Sequence, residues 1–159
     1  MKKLLLTLLT ALLLNSAWAG PEEDSDDAII RKDFATAVKI IRPPAVQGEA
    51  WAQHSLAYLY VRGQGVVQDY AEAVKWFRLA AQRGNVHAQN MLGRMYDNGQ
   101  GVVQDYVKAH SWYNLAASKG QPSAFSNLDI VAKRMTPQQI AEAQKLARDC
   151  QARNFKGCD

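Results

Sequence analysis

Apolar residues recur along the chain at the spacing of helices that each bury one face. Between residues 49 and 62 they fall at i, i+4, i+7 and i+8, which places Ala52, Leu56, Leu59 and Tyr60 on one side of a helix. A second stripe mixes small and bulky side chains, at Tyr70, Ala73, Val74, Trp76, Phe77, Ala80 and Ala81. The pattern predicts two helices joined by a loop, here called the first-type and the second-type helix.

The boundaries of both helices carry recognisable signals. Gly63 can adopt the positive φ that ends the first-type helix, and Asp69 can cap the second-type helix. Glu72 stands three residues after Asp69, which predicts a reciprocal capping box. In the loop, Val66 and Val67 are expected to fill the gap between neighbouring helices.

The whole pattern repeats with a period of 36 residues. The segment GQGVVQDY occupies residues 63–70 and recurs unchanged at residues 99–106. Helix positions keep the same step, as at Gly48, Gly84 and Gly120, at Ala52, Ala88 and Ala124, and at Leu56, Leu92 and Leu128. A period between about 20 and 50 residues is typical of solenoids. We therefore predict an all-α fold, a right-handed α-solenoid of antiparallel helix pairs.

The N-terminal end predicts a partial unit. Asp33 opens a second-type helix, whose end Pro43 and Pro44 should kink or shorten because proline lacks an amide donor. Residues 20–32 form an acidic segment that we expect to be a solvated, partly disordered tail. A helix within it should be short, over residues 25–31, or missing.

The C-terminal end predicts a cap. Residues 121–134 read as a first-type helix, after which Thr136 and Gln139 predict a capping box at the start of a final helix that ends near Ala152. One face of that helix is apolar and should turn inward, at Ile140, Ala143, Ala147 and Cys150. The repeat region with this capping helix spans residues 33–152.

The second unit carries the residues of a known family. AQNMLGRMY at residues 88–96, Gly99-x-Gly101-Val102-x-Gln104-Asp105-Tyr106, and the following Ala109, Trp112-Tyr113 and Ala116-Ala117 resemble the Sel1-like repeat, a relative of the tetratricopeptide repeat. The resemblance covers about residues 33–150 and departs at Ala57, where the second unit has Gly93. It implies a scaffold that holds a protein partner or, in some bacterial members, acts at the cell envelope.

The first 19 residues predict export. A positive start, an apolar run over residues 4–14 and the triplet Ala17-Trp18-Ala19 are typical of a secretory signal peptide. The apolar run is shorter than the roughly 20 residues that cross a bilayer, so we expect no stable membrane anchor after cleavage. With the bacterial resemblance, the expected location is periplasmic or secreted.

Cys150 and Cys158 are the only two cysteines. In an oxidising compartment they predict a disulfide that pins the tail, residues 153–159, although two free thiols are the alternative. Two sulfurs are too few for a structural zinc site, so we expect no metal.

The charge distribution gives only a general indication of the kind of partner. Residues 28–159 hold 17 Lys and Arg against 10 Asp and Glu, but the excess is spread out. Together with export, this argues against nucleic acid and leaves a protein or peptide as the expected partner. The oligomeric state is open, with a monomer as one possibility.

A second stripe on the first-type helices predicts where that partner binds. In related folds these helices line the inner, concave groove. The stripe is aromatic, basic and polar: Trp51, His54, Tyr58 and Arg62 in one unit, His87, Asn90, Arg94 and Asn98 in the next, and Ser123, Ser126, Ile130 and Arg134 in the third. Such a mixture suits a peptide or an acidic chain, although the same residues could simply cover a neighbouring helix.

No pattern in the sequence predicts catalysis or a cofactor. The three histidines, at positions 54, 87 and 110, lack the spacing of a zinc protease, and no phosphate-binding loop or nucleophile elbow is present. We therefore predict a non-catalytic adaptor. The alternatives are a regulator or inhibitor of a peptidoglycan-acting enzyme, or a β-lactam-binding or hydrolysing protein, which the cysteine-rich Sel1-like relatives suggest.

Overall fold

The computed structural model describes residues 20–158, which form eight α-helices and no strand. In chain order they are α1 (Pro21–Ile30), α2 (Phe34–Gln47), α3 (Ala50–Arg62), α4 (Tyr70–Gln82), α5 (Val86–Asn98), α6 (Tyr106–Ser118), α7 (Pro122–Ala132) and α8 (Pro137–Ala152). The predicted signal peptide, residues 1–19, lies outside the described residues. No helix in the described part is long and apolar enough to cross a membrane.

Each helix from α1 to α7 packs against its neighbours in sequence, as a solenoid requires, whereas α8 packs on α6. The pairs α3–α4 and α5–α6 are the two full units, and α4 also packs against α5, which joins one unit to the next. Upstream, α1 packs on α2 and α2 on α3, while α7 and α8 both pack on α6. The predicted all-α solenoid of helix pairs is confirmed.

The core follows the predicted stripes. The alanines of the predicted stripe are fully buried on α4 and α6, at Ala73, Ala80, Ala81, Ala109 and Ala116, and let neighbouring helices approach closely. Phe77, Trp112 and Tyr113 supply the bulk. Gly93 on α5 lies directly against the Tyr113 ring, so that a Cβ there would stand 2.5 Å from two ring carbons. The second unit therefore needs glycine at position 93, where the first unit has Ala57, because the Tyr113 ring leaves no room for a side chain.

The second glycine of each loop sets the approach between units. At Gly65 a Cβ would lie 2.3 Å from the carbonyl oxygen of Phe34, and at Gly101 it would lie 2.3 Å from that of Tyr70. Phe34 and Tyr70 each begin the second-type helix of the preceding unit. Both glycines also have positive φ, which disfavours other residues. The repeated Gly-x-Gly is thus a contact between units as well as a turn.

Half of the capping box predicted at Asp69 forms. The Asp69 carboxylate accepts a hydrogen bond from the Glu72 amide at 2.9 Å, but Glu72 turns to Lys75, with a 2.7 Å ion pair. At α8 the full box forms between Thr136 and Gln139.

The N-terminal end differs from the expectation. Residues 21–30 form α1 and do not remain a disordered tail, because Ser25 and Ala28 are buried against α2 while the acidic side chains stay in solvent. Helix α2 continues through Pro43 and Pro44 to Gln47. Only one further turn follows these prolines, and Gly48 in the left-handed conformation closes the helix there.

The predicted role of the loop valines is half right. Val66 packs against the core between α2 and α3, but Val67 is 87% exposed and fills no gap. Val103, its equivalent in the second unit, is equally exposed.

The C-terminal tail is pinned by the Cys150–Cys158 disulfide. Its Phe155 packs against the main core, beside Gly84 at the end of α4. On α8, Ala143, Ala147 and Cys150 are buried as predicted, and Ile140 is partly buried.

The contact at Gly101 predicts a large, specific loss of stability. Gly101→Ala should destabilise the fold by at least about 2 kcal/mol more than Gly120→Ala, measured by urea unfolding. Both glycines have positive φ, so both variants carry the same backbone strain. Only Gly101 faces another backbone, since nothing lies within 4 Å of a Cβ at Gly120. Equal losses would contradict the proposed unit-to-unit contact.

The disulfide predicts a redox-dependent stability. Reduction of Cys150–Cys158 should lower the free energy of unfolding by about 2–3 kcal/mol, because the bridge closes a loop of nine residues in the unfolded chain. A thermal melt with and without reductant measures this loss, and the Cys150→Ser, Cys158→Ser double variant should melt like the reduced protein. Identical melting of all three would show that the bridge does not stabilise the fold.

Candidate partner-binding groove

The first-type helices α3 and α5 enclose an open pocket of about 450 Å³. Its floor is apolar, with Val61, Met91 and Met95, and its rim is polar. The full lining is Tyr58, Val61, Arg62, Gln68, Tyr70, Met91, Arg94, Met95 and Gln100. Three of the predicted groove residues, Tyr58, Arg62 and Arg94, therefore meet at one place.

The Arg62 side chain is held in position by Tyr58, one helical turn earlier. The guanidinium donates to the Tyr58 hydroxyl from Nη2 at 2.7 Å and from Nε at 3.2 Å, and it lies 5.2 Å from the ring centroid. Such a contact limits the rotamers of the arginine and reduces the entropy that it would lose on binding a ligand.

Arg94 is the freer of the two arginines. It is exposed, and its Nη1 approaches the Met91 sulfur at 3.8 Å. Among the described residues neither Arg62 nor Arg94 forms a salt bridge. The pocket thus presents two positive charges above an apolar floor, and no carboxylate in the described part of the chain forms an ion pair with either.

The remaining stripe residues of the first unit mostly serve packing. Trp51 is partly buried against the core between α2 and α3. The His54 ring lies 5.8 Å from the rings of both Phe77 and His87. Burial, with a smaller contribution from the charge of His87, lowers the pKa of His54 to about 4. His54 is therefore a neutral ring between units at pH 7.

Stripe residues of the later units are largely engaged with a neighbouring unit. Asn90 is buried, donates to Ser123 Oγ at 3.1 Å and accepts from Asn127 Nδ2 at 3.0 Å. His87 Nδ1 lies 3.2 Å from Gln121 Nε2. Arg134 pairs with Asp97 at 2.9 Å and its guanidinium lies 5.7 Å from the Tyr106 ring centroid.

Asn98 is exposed at the end of α5 and does not line the pocket. The structure adds residues that the stripe did not include. Met91 and Met95 each follow a stripe residue of α5 by one position. Gln68 and Gln100 come from the loops, and Tyr70 comes from the start of α4. Gln68 is fixed by a 2.8 Å hydrogen bond from its Nε2 to the Val61 carbonyl. The repeated loop motif was a signal that could have pointed to the loop residues.

The described residues offer no cluster of metal ligands. They contain no group of three or more His, Cys, Asp and Glu side chains that could hold a metal ion. His110 is buried on α6, and burial lowers its pKa.

Comparison with known families decides what the units are. The family model described as Sel1 repeat matches residues 52–85 and 86–121. The chain contains two Sel1 repeats. Each Sel1 repeat begins within a first-type helix and ends just after a second-type helix, so the two matches correspond to α3–α4 and α5–α6. No curated protein matches the chain.

Solved Sel1 repeat structures share the fold. A protective antigen present in uropathogenic Escherichia coli strains, which displays an SLR fold, is 28% identical with a TM-score of 0.79 over 85% of this chain. A Sel1 repeat protein from Oxalobacter formigenes is 30% identical with a TM-score of 0.63 over 67% of this chain. The chain spans 31% and 42% of the lengths of these two proteins.

The partly buried His54 predicts a loss of stability in mild acid. Its folded pKa lies below the unfolded value of 6.5, so the unfolded chain binds more protons as the pH falls from 6.5 to about 4. Stability should be full above pH 6.5 and decline by about 1–3 kcal/mol across that window. Urea unfolding of the wild type and His54→Gln at several pH values measures this.

The variant should show a flatter, though not flat, dependence, because burial also lowers the pKa of His110. Parallel curves for both proteins would contradict the role given to His54.

Proposed function

We propose that this protein is a non-catalytic protein–protein interaction adaptor of the bacterial cell envelope. It holds a segment of a partner protein in the pocket between α3 and α5. Sel1 repeat proteins generally act as protein interaction scaffolds, which supports the general role. The observation that carries the specific proposal is the pair Arg62 and Arg94 above an apolar floor, with no carboxylate of residues 20–158 paired to either.

The chemistry of the pocket selects the kind of segment. Arginine binds carboxylates through two parallel hydrogen bonds, and a partly enclosed site strengthens such contacts. Val61 and Met91, which are partly exposed above the buried Met95, offer apolar area beside these charges, and methionine adapts its shape to different side chains. The segment that fits best has an acidic residue next to an apolar one.

Export to the periplasm, or beyond it, is part of the proposal. It is supported by the signal-peptide pattern of residues 1–19 and by the Cys150–Cys158 disulfide, since disulfides persist in oxidising compartments.

The absence of catalysis is also proposed. The Sel1 repeat fold is typically a non-catalytic scaffold. His54, beside the pocket, is used as a packed neutral ring between Phe77 and His87. An inhibitor of a peptidoglycan-acting enzyme would use the same groove. No observation favours β-lactam chemistry, since the single cysteine pair closes the tail and does not recur in each unit.

The test is a crosslinking pull-down from envelope extract followed by affinity measurement on the partner it identifies. The bait is the chain from Gly20, compared with a Tyr58→Ala, Arg94→Ala variant. The variant should bind at least about tenfold more weakly, because it loses one free guanidinium and the support of the other. Arg148→Ala is the matched control, since Arg148 is an exposed arginine on α8, away from the pocket.

Circular dichroism establishes that both variants keep the fold. Equal affinities of wild type and pocket variant for the same partner would refute the site. Weakening by Arg148→Ala to the same degree would show that overall positive charge, and not the pocket, attracts the partner.

A further inference from the structure

Helix α1 is the most acidic surface that the structure describes. Five of its ten residues are acidic, and all five side chains are exposed: Glu22, Glu23, Asp24, Asp26 and Asp27. None forms a salt bridge among residues 20–158. Its one large apolar side chain in solvent is Ile30, which is 77% exposed at the end of the helix.

Only part of this charge is explained by the stability of the helix itself. Glu22, Glu23 and Asp24 lie in the first turn, where the helix dipole favours negative charge. Asp26 and Asp27 lie beyond the first turn, where the dipole no longer favours negative charge, and the last turn contains no basic residue. Arg31 and Lys32 follow the helix but make no ion pair with them. A contact outside the helix would account for these two aspartates.

The pocket between α3 and α5 has the complementary chemistry. Asp26, Asp27 and Ile30 combine neighbouring carboxylates with an exposed apolar side chain one helical turn away. The pocket combines Arg62 and Arg94 with the apolar floor of Val61, Met91 and Met95. A helix therefore offers, on one side, both kinds of group that the pocket accepts.

The α1 helix cannot reach the pocket of its own chain in this fold. It is packed on α2, with Ser25 and Ala28 buried at that contact, and α2 in turn packs on α3. Its acidic side faces solvent at the N-terminal end of the solenoid. A second copy of the chain can bring the same helix to the pocket without unfolding anything.

We propose that the protein associates head to tail through this contact. The acidic side of α1 from one copy docks in the pocket of the next, with Asp26 and Asp27 toward Arg62 and Arg94 and with Ile30 on the floor. The contact is heterologous, so an open assembly has a free pocket at one end and a free α1 at the other. It depends on the same pocket as the proposed function but not on any other partner. A partner's acidic segment would compete with α1 for it.

The test measures association of the chain from Gly20 by sedimentation velocity. Association should be clear in about 50 mM NaCl and largely lost in about 500 mM NaCl, because exposed charge pairs are screened. Arg94→Glu should abolish it, and so should the Asp26→Lys, Asp27→Lys double variant. The control Arg148→Glu carries the same change of charge on α8 and should associate like the wild type.

A mixture of the pocket variant Arg94→Glu with the helix variant Asp26→Lys, Asp27→Lys gives the decisive result. Each alone should sediment as a monomer, but together they should associate. The unchanged α1 of the Arg94→Glu chain still fits the unchanged pocket of the other chain, and the lysines can pair with the new glutamate.

A monomer at every salt concentration would overturn the inference, as would association that Arg94→Glu leaves intact. Neither result affects the proposed adaptor role, which stands or falls on affinity for the captured partner. If Arg94→Glu abolished self-association yet left partner binding unchanged, the inference would hold and the proposed function would fail.

Discussion

The close approach of each Gly-x-Gly loop to the preceding unit is the constraint on which the rest of the structure depends. At Gly65 and Gly101 the backbone comes so near to a carbonyl of the previous second-type helix that no side chain fits between them. This contact fixes the distance and the angle between successive helix pairs. The buried alanines of α4 and α6 can then pack closely, and bulky rings such as Phe77 and Tyr113 complete the layer.

The groove is a consequence of that spacing. With the units fixed, α3 and α5 stand side by side, and their outward stripes divide into two parts. Near the middle, His54 and His87 fill the gap between the helices. Toward the end of the helices the gap stays open, and there Tyr58, Arg62 and Arg94 surround the pocket. The proposed binding surface is therefore made mostly of positions that the core does not need.

Most of the fold could be predicted because an exact repeat of 36 residues leaves few alternatives. Periodicity, caps and glycine positions all indicated the same helix pairs. The main wrong predictions concern the N-terminal end, which lies before the first full repeat. Composition alone suggested disorder for α1, because burial of Ser25 and Ala28 depends on contact with α2. Pro43 and Pro44 were expected to kink or shorten α2, but the helix continues through them and ends one turn later at Gly48.

The candidate site was predictable only in outline. Spacing identified the stripe, but it could not show which members the neighbouring unit would use. Asn90 forms hydrogen bonds with Ser123 and Asn127, and Arg134 pairs with Asp97. These partners are separated by 33 to 37 residues in the sequence. Such pairings depend on the rise between units. The sequence did not predict the methionine floor either. Met95 is a buried core residue and Met91 packs against the core, so only the position of the neighbouring helix shows that they line a pocket.

Site-specific photocrosslinking tests the central claim most directly. A photoreactive phenylalanine analogue would replace Met91 on the pocket floor in one protein and Leu79, which is 43% exposed on α4, in another. Irradiation in envelope extract should attach the same partner at position 91 and not at position 79. Attachment at position 79 with none at position 91 would show that the partner binds the other side of the solenoid and would contradict the account.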